Sequence, residues 1–224
     1  MNETETRAEL IDPVLKAAGW GVVKGSRIRM EFPINKGRLI GHGQRSKPDK
    51  ADYISQYKIR NLAVNEAKAR DKYHTEGVGQ AKDYAERLQV RFTYSTNGLQ
   101  IYRIDMREGT EGDVTSYPTP DELWDLTFPR SSDPNAELVE AWRDKLLSVP
   151  FEDRSGTWQP RYYQENAVTK VLEAVSNNVP RILLTLATGT GKTAIAFQIA
   201  WKLFQAKWNI NKDGQRSPRI LFLA

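Results

Sequence analysis

Three side chains in the segment PDKADYISQYKIRNLAVNEAKA have the types and spacing for phosphodiester hydrolysis: Asp52, Glu66 and Lys68. In a strand, successive side chains alternate faces, so Glu66 and Lys68 point the same way while Ala67 points opposite. Asp52 opens the preceding run, and antiparallel pairing with a connection near Tyr57–Asn61 would bring it beside Glu66. Two convergent carboxylates make a hard-oxygen site for Mg²⁺ or Mn²⁺. A nearby lysine can orient the attacking water and, as the neutral amine, deprotonate it, or as the ammonium offset phosphate charge. Glu-x-Lys alone is common on exposed strand faces. Here the surrounding run (Leu62, Ala63, Val64, Ala67) is apolar, so charges at Glu66 and Lys68 need a reason if the strand is central. Pro48-Asp49 supplies a literal Pro-Asp pair in a lysine-rich loop; Asp52 is preferred because it begins the strand, and Asp49 is the alternative. Gln80 and Tyr84, four apart in GQAKDYAERL, share one helical face. That pair suits either the flank of a metal site or a DNA backbone, although by itself it reads as a half-buried tyrosine and a solvated glutamine.

A second chemistry sits near the other end. Leu186 to Thr193 read LATGTGKT, directly after the strand-like RILLT and directly before the helical AIAFQIAWKLF. Small residues let backbone N–H groups approach phosphates, and the helix N-terminus adds partial positive charge. In such a loop Thr188, Gly189, Thr190 and Gly191 cradle the phosphates, Lys192 reaches the β- and γ-phosphates, and the Thr193 hydroxyl ligates Mg²⁺. Leu186 departs from the strict first glycine of this motif, but ATGTGKT is similar to the form used by superfamily 2 helicases and translocases. Upstream, RYYQENAV places Gln164 where those motors carry an adenine-sensing residue, with a donor and an acceptor for the base edge. An acidic motif holding Mg²⁺ and positioning water is expected after further strands.

The elements that must position these groups follow from periodicity. Arg7 to Gly19 reads as an amphipathic helix with Leu10, Ile11, Val14, Leu15 and Ala18 on one face, and Thr6 with Glu9 resembles a capping box. Strands are expected at Arg27–Phe32, Arg38–Ile40, Ala51–Tyr57 and Asn61–Ala67. A helix over Val78–Leu88, a strand Arg91–Ser95, an Asn97-Gly98 hairpin turn and a strand Leu99–Asp105 come next. From Glu108 to Ser155 the composition shifts to Pro, Asp, Ser and Thr, which reads as a connector interrupted by a helix over Asn135–Leu147. Then follow a helix Tyr163–Val175, a buried strand Arg181–Leu186, a helix Gly191–Phe204 and a buried strand Arg219–Ala224. Helix, strand, glycine loop and helix open a parallel α/β domain, whose continuation is expected beyond Ala224.

Composition narrows the classes. The chain has 224 residues, 39% hydrophobic and 27% charged, which is a globular balance. With 0 Cys there is no disulfide scaffold, thiolate metal site or cysteine nucleophile, and 2 His, His42 and His74, make a histidine-built zinc site improbable. No apolar run reaches membrane-spanning length and MNETETRAEL is no signal peptide, so no membrane association and a cytoplasmic location are expected. A net charge of +5 permits a nucleic-acid partner without demanding one.

Asp52, Glu66-x-Lys68 and Gln80-x-x-x-Tyr84 followed by ATGTGKT resemble the restriction subunit of type I restriction–modification enzymes, from ETRAELIDPVLKAAGW through Thr96–Gly98 to the phosphate loop. The resemblance implies an α/β fold: a PD-(D/E)xK nuclease-like mixed sheet flanked by helices over residues 1–107, a connector over 108–155, and the beginning of a RecA-like helicase motor over 156–224. It implies Mg²⁺-dependent endonucleolytic cleavage of DNA, coupled in the whole subunit to ATP-driven translocation. By the same resemblance Asp52 and Glu66 are metal ligands, Lys68 is catalytic, and Gln80 and Tyr84 support the site or contact DNA. Glu9 would correspond to an acidic helical residue that some related nucleases add to the metal shell. Double-stranded DNA and the modification and specificity subunits are the implied partners, and the chain by itself is expected not to hydrolyse ATP. A type III restriction subunit is disfavoured, because there the nuclease follows the motor. The competing class is a catalytically silent DNA-binding or subunit-docking domain on a superfamily 2 motor, which divalent-metal binding would separate from a nuclease.

Overall fold

The computed structural model describes residues 1–34, 39–41, 44–45, 48–129, 134–153, 156, 160–215 and 219–221, with backbone alone at 39–41 and 44–45. They fall into two compact units, Met1–Pro129 and Arg130–Ala224. The first holds strands β1 (Ser26–Pro33), β2 (Leu39–Gly41), β3 (Gln44–Arg45), β4 (Lys50–Tyr57), β5 (Arg60–Ala67), β6 (Phe92–Thr96), β7 (Ile101–Asp105) and β8 (Glu111–Val114). Six of them make one sheet in the order β1-β4-β5-β6-β7-β8, while β2 and β3 pair with each other. Of the strand expected over Arg38–Ile40, Arg38 lies outside the described residues, as does His42.

Every neighbouring pair in the large sheet is antiparallel except β5 and β6. A parallel pair cannot be closed by a tight turn. Helix α3 (Val78–Leu88) makes the crossover and packs along both strands, with Ala81, Tyr84, Ala85 and Leu88 buried. The Thr93 hydroxyl ties the layers together, donating toward the carbonyls of Val64 and Ala81 at 3.2 Å each.

The N-terminal helix begins at Glu3, earlier than periodicity indicates. Asn2 caps it: its side chain accepts from Glu5 N at 2.9 Å, and the Glu5 carboxylate accepts from Asn2 N at 2.9 Å. The box is thus Asn2–Glu5 instead of Thr6–Glu9, and Thr6 is buried. Helix α1 (Glu3–Thr6), a π-helical turn (Arg7–Ile11) and helix α2 (Asp12–Ala17) run on continuously. The widened turn comes just ahead of Pro13, which has no N–H to give to the preceding turn.

The hairpin between β6 and β7 is longer than Asn-Gly predicts. Thr96 pairs with Ile101, leaving a four-residue loop. Asn97 is the reason: its Oδ1 accepts from the N–H groups of both Leu99 and Gln100, and its Nδ2 donates to the Lys72 carbonyl at 2.9 Å. Gly98 is required there, with φ +81° and Leu10 Cβ only 2.7 Å from where its own Cβ would stand.

The stretch expected to be a connector is divided between the two units. Strand β8 extends the sheet, and α4 (Pro120–Thr127) starts in a Thr119–Glu122 capping box and buries Leu123 and Trp124 in the core with Trp20, Tyr53, Tyr57 and Phe92. Trp20 Nε1 donates to the Pro118 carbonyl at 2.9 Å, and the Tyr57 hydroxyl to Asp121 at 2.6 Å. The first compact unit therefore runs past residue 107. Helix α5 (Ala136–Ser148) contributes Leu146 and Leu147 to the second unit's core, beside Val168 and Leu172 of α6 (Tyr162–Ser176) and Ile195 and Leu203 of α7 (Lys192–Gln205).

Two expected strands differ. Residues Arg181–Leu186 are irregular, with Leu183 89% exposed, and Arg219–Leu221 are irregular as well; 222–224 lie outside the described residues. A strand needs a hydrogen-bonded neighbour, and among the described residues of this unit no strand is present to provide one. No described helix is long and apolar enough to cross a membrane.

Trp124 meets Tyr57 edge-on at 5.9 Å and Phe128 at 4.6 Å, and is 5% exposed. Trp124→Ala should lower unfolding free energy by about 3–5 kcal/mol, measured by urea denaturation. A connector tryptophan would cost far less.

Candidate active site

The antiparallel register of β4 and β5 pairs Tyr53 with Asn65, so the next rung sets Asp52 against Glu66. Asp52 N lies 3.4 Å from Glu66 Oε1, and Asp52 Oδ2 accepts from Ala67 N at 2.8 Å. The two carboxylates thus meet across adjacent central strands. Lys68 lies just past β5, its N–H donating to the Thr96 carbonyl at 2.8 Å. A Cβ on Gly77 would approach Lys68 Cε to 3.1 Å and Glu66 Cβ to 3.2 Å, so both side chains lie on the face that Gly77 abuts. The spacing argument from the strand period holds geometrically.

Helix α3 completes the cluster. Lys68 Nζ donates to Gln80 Oε1 at 3.3 Å, and Gln80 Nε2 donates to the Tyr84 hydroxyl at 3.0 Å. Tyr84 is buried and Gln80 is exposed. Burial pushes the Tyr84 phenol upward, partly offset by the bond from Gln80. The Asp49 carboxylate faces Arg87 at 3.7 Å and adds its charge to the upward push on the Tyr84 phenol. Glu9 is exposed on the π-helical turn.

Glu66 is 1% exposed. Burial, and then the neighbouring charge of Asp52, push its carboxyl up to about 9, against a smaller pull from Lys68. Glu66 is therefore short of nearby positive charge. A divalent cation between the two carboxylates would relieve both effects, so the donor set fits Mg²⁺ or Mn²⁺. Among the described residues no group of three or more His, Asp and Glu is clustered, so water or substrate oxygens would fill the remaining positions.

Sequence reasoning missed two members. Arg7, on the π-helical turn, points its Nη1 at Glu31 Oε1 (2.5 Å) and at Asp52 Oδ1 (3.4 Å). Glu31 lies in β1 at φ +51°, a left-handed conformation rare for a residue with a side chain. Neither carries a spacing signal, because Arg7 and Asp52 are 45 positions apart.

In the second unit the candidate loop Leu186–Thr193 leads into α7. Gly189 and Gly191 have φ +78° and +83°, and Lys192 opens α7, with Lys192, Thr193 and Thr188 exposed. Thr190 Oγ1 donates to the Ala187 carbonyl at 2.7 Å. Gln164 is buried and bonded at both ends: Nε2 donates to the Thr190 carbonyl at 2.9 Å, and Oε1 accepts from Arg161 N at 3.0 Å. It ties α6 to the loop with the same two groups that would read an adenine.

With this geometry in place, the likenesses to known proteins can be set beside it. Residues 157–224 match the family described as the type III restriction enzyme, res subunit. The whole chain is 36% identical to the type I restriction enzyme EcoAI endonuclease subunit of Escherichia coli, spanning 27% of that protein. Over 62% of its length it is 34% identical to the EcoKI endonuclease subunit of Escherichia coli strain K12, spanning 11% of it. A structure described as a fragment of an HsdR subunit of a type I restriction enzyme from Vibrio vulnificus YJ016 superposes with a TM-score of 0.80 at 36% identity, covering 98% of this chain and 41% of that one. The resemblance to type I restriction subunits therefore extends along the entire chain, which spans less than half of each of these relatives.

The raised carboxyl sets a pH dependence for the metal-free protein. A folded-state acid shifted upward costs stability as pH rises from about 4.5 to about 9 and leaves stability highest below that window. Glu66→Gln should remove this fall, at most about 1.4 kcal/mol per pH unit. Urea midpoints at pH 5 and pH 8 for both proteins, in chelator, check it. Parallel curves would show that Glu66 titrates normally.

Proposed function

We propose that this homologue of type I restriction endonuclease subunits is a divalent-metal-dependent DNA endonuclease unit of PD-(D/E)xK type, joined to a nucleotide-binding motor unit. The observation that carries the reading is the convergence of Asp52 and Glu66, from two adjacent strands, and of Lys68, just past the second, onto one face. Asp52 and Glu66 would hold Mg²⁺ or Mn²⁺. The bound ion would polarise the scissile phosphate and lower the pKa of a water.

Lys68 places an ammonium beside the carboxylates, where it can offset phosphate charge and orient the attacking water by donating to it. Gln80 fixes that ammonium by accepting from it, and Tyr84 fixes Gln80 in turn. The chain Tyr84–Gln80–Lys68 therefore sets the position of the cation from the crossover helix. Gln80 and Tyr84 act as positioning residues in this reading.

In the second unit, backbone N–H groups from Thr188 to Thr193 and the Lys192 ammonium would receive the phosphates of ATP, with Thr193 offering a hydroxyl to Mg²⁺. Gln164 holds the loop in shape. Hydrolysis of bound ATP would also draw on an acidic motif and a facing arginine. Double-stranded DNA and the modification and specificity subunits are the partners proposed. A silent docking module is the second reading, and it draws on one observation: Arg7 stands beside Asp52 as a counter-charge.

Lys68→Ala should reduce DNA cleavage in the assembled restriction complex at least about 10²-fold while leaving the melting temperature and ATP binding unchanged. Gln80→Ala should lose less, because the ammonium remains but is no longer fixed. Near wild-type cleavage by Lys68→Ala would overturn the nuclease assignment. For the phosphate loop, Lys192→Ala should abolish ATP binding in a fluorescence titration; unchanged binding would place nucleotide elsewhere.

A further inference from the structure

Arg7 is buried to 14% exposure at its side chain and is tied down on several sides. Its Nη1 bridges Glu31 and Asp52, its Nε donates to the Tyr53 hydroxyl at 3.3 Å, and its guanidinium lies over the Tyr53 ring at 4.8 Å. The Tyr53 hydroxyl donates to Asp12 Oδ1 at 2.7 Å, so the helix that carries Arg7 also anchors the tyrosine on which it rests. A positive group held this firmly against a carboxylate proposed to ligate metal is more than a surface ion pair. A guanidinium's fork can serve two acids at once.

A second, independent feature is the backbone of Glu31. A left-handed non-glycine residue inside a strand is strained, and the strain persists only where its surroundings enforce it. Glu31 holds the closer grip on Arg7, 2.5 Å against 3.4 Å for Asp52. Lys50 adds a weaker contact to Glu31 at 3.6 Å.

Resting on the reading of Asp52 and Glu66 as metal ligands, we propose that Arg7 is the resident counter-cation of Asp52, exchanged for a divalent ion on binding while Glu31 retains the guanidinium. In the metal-free state Arg7 supplies the positive charge at Oδ1 and keeps Asp52 aimed toward Glu66. Asp52 would help hold an arriving ion, and the longer of Arg7's two contacts is the one Arg7 would give up. Glu31 acts as the acceptor that makes the release possible, so Arg7 and Glu31 together set metal affinity without ligating metal. Both are positioning residues.

The two residues should act with opposite signs, which a general loss of structure cannot mimic. Arg7→Gln removes the competing cation and should tighten Mn²⁺ binding at least about tenfold, the scale of one charge within a few ångströms. Glu31→Gln leaves Arg7 with Asp52 as its only charged partner in the pair and should weaken Mn²⁺ binding by a similar factor. Dissociation constants for Mn²⁺ alone, read from the electron paramagnetic resonance signal of the free ion with the intact chain, decide the matter, alongside melting temperatures in chelator. Opposite shifts support the exchange. Shifts of the same sign, or none in Glu31→Gln, overturn it while leaving the nuclease reading standing if the wild type binds Mn²⁺ and cleaves. If Arg7→Gln fails to fold, the weakening in Glu31→Gln alone carries the test, and its absence overturns the proposal. A wild-type chain that binds no Mn²⁺ overturns both readings.

Discussion

Two carboxylates placed side by side on neighbouring central strands are an unfavourable arrangement that the rest of the first unit is organised to tolerate. Like charges at close range in a dry setting cannot both be ionised without a compensating cation. The sheet holds Asp52 by its bond to Ala67 N and holds Glu66 by burial, so neither can swing away into solvent. Positive groups then approach from two directions. Lys68 comes from the same strand edge and Arg7 from the N-terminal helix, each fixed by its own set of neighbours. The parallel β5–β6 pair follows from the same need, because its crossover is what delivers α3, with Gln80 and Tyr84, to the lysine.

Much of this was legible in the residue order. The period of two along Leu62–Lys68 was enough to place Glu66 and Lys68 on one face, and the helical spacing of Gln80 and Tyr84 was enough to place them together. Arg7 and Glu31 were not legible, since their partnership is created by the sheet order β1-β4 and by a helix docking far along the chain. The capping residue Asn2 was overlooked for a local reason: a Ser/Thr-based box at Thr6–Glu9 has the same spacing as the one that forms. Asn97 shows the opposite limit, where a strong turn signal was read correctly in place but its side chain captured two further backbone donors and lengthened the loop.

The stretch from Glu108 to Ser155 shows why composition misleads at boundaries. Its Pro, Asp, Ser and Thr serve as caps and turn residues for short elements instead of marking a solvated tether. Strand β8 has only 4 residues and α4 has 8, too few for periodicity to rise above their polar flanks. Their apolar content is concentrated in Leu123 and Trp124, both in the core. The irregular Arg181–Leu186 segment teaches the converse. Six residues of strong β-character do not make a strand without a neighbour to bond to, because an unpaired run leaves its backbone donors and acceptors to water.

The position of Glu31 has a further consequence for how copies of this protein behave in solution. Strand β1 is the border of the six-stranded sheet, and a free border of alternating residues is a template on which another chain can add. Here the border is interrupted twice within three residues, by the left-handed turn of the backbone at Glu31 and by Pro33, which has no N–H to donate. Arg27, Arg29 and Glu31 also place charge along it. The residue whose carboxylate meets Arg7 therefore also spoils the flat ladder that stacking would require, so one position serves both the charge cluster and resistance to edge-to-edge aggregation.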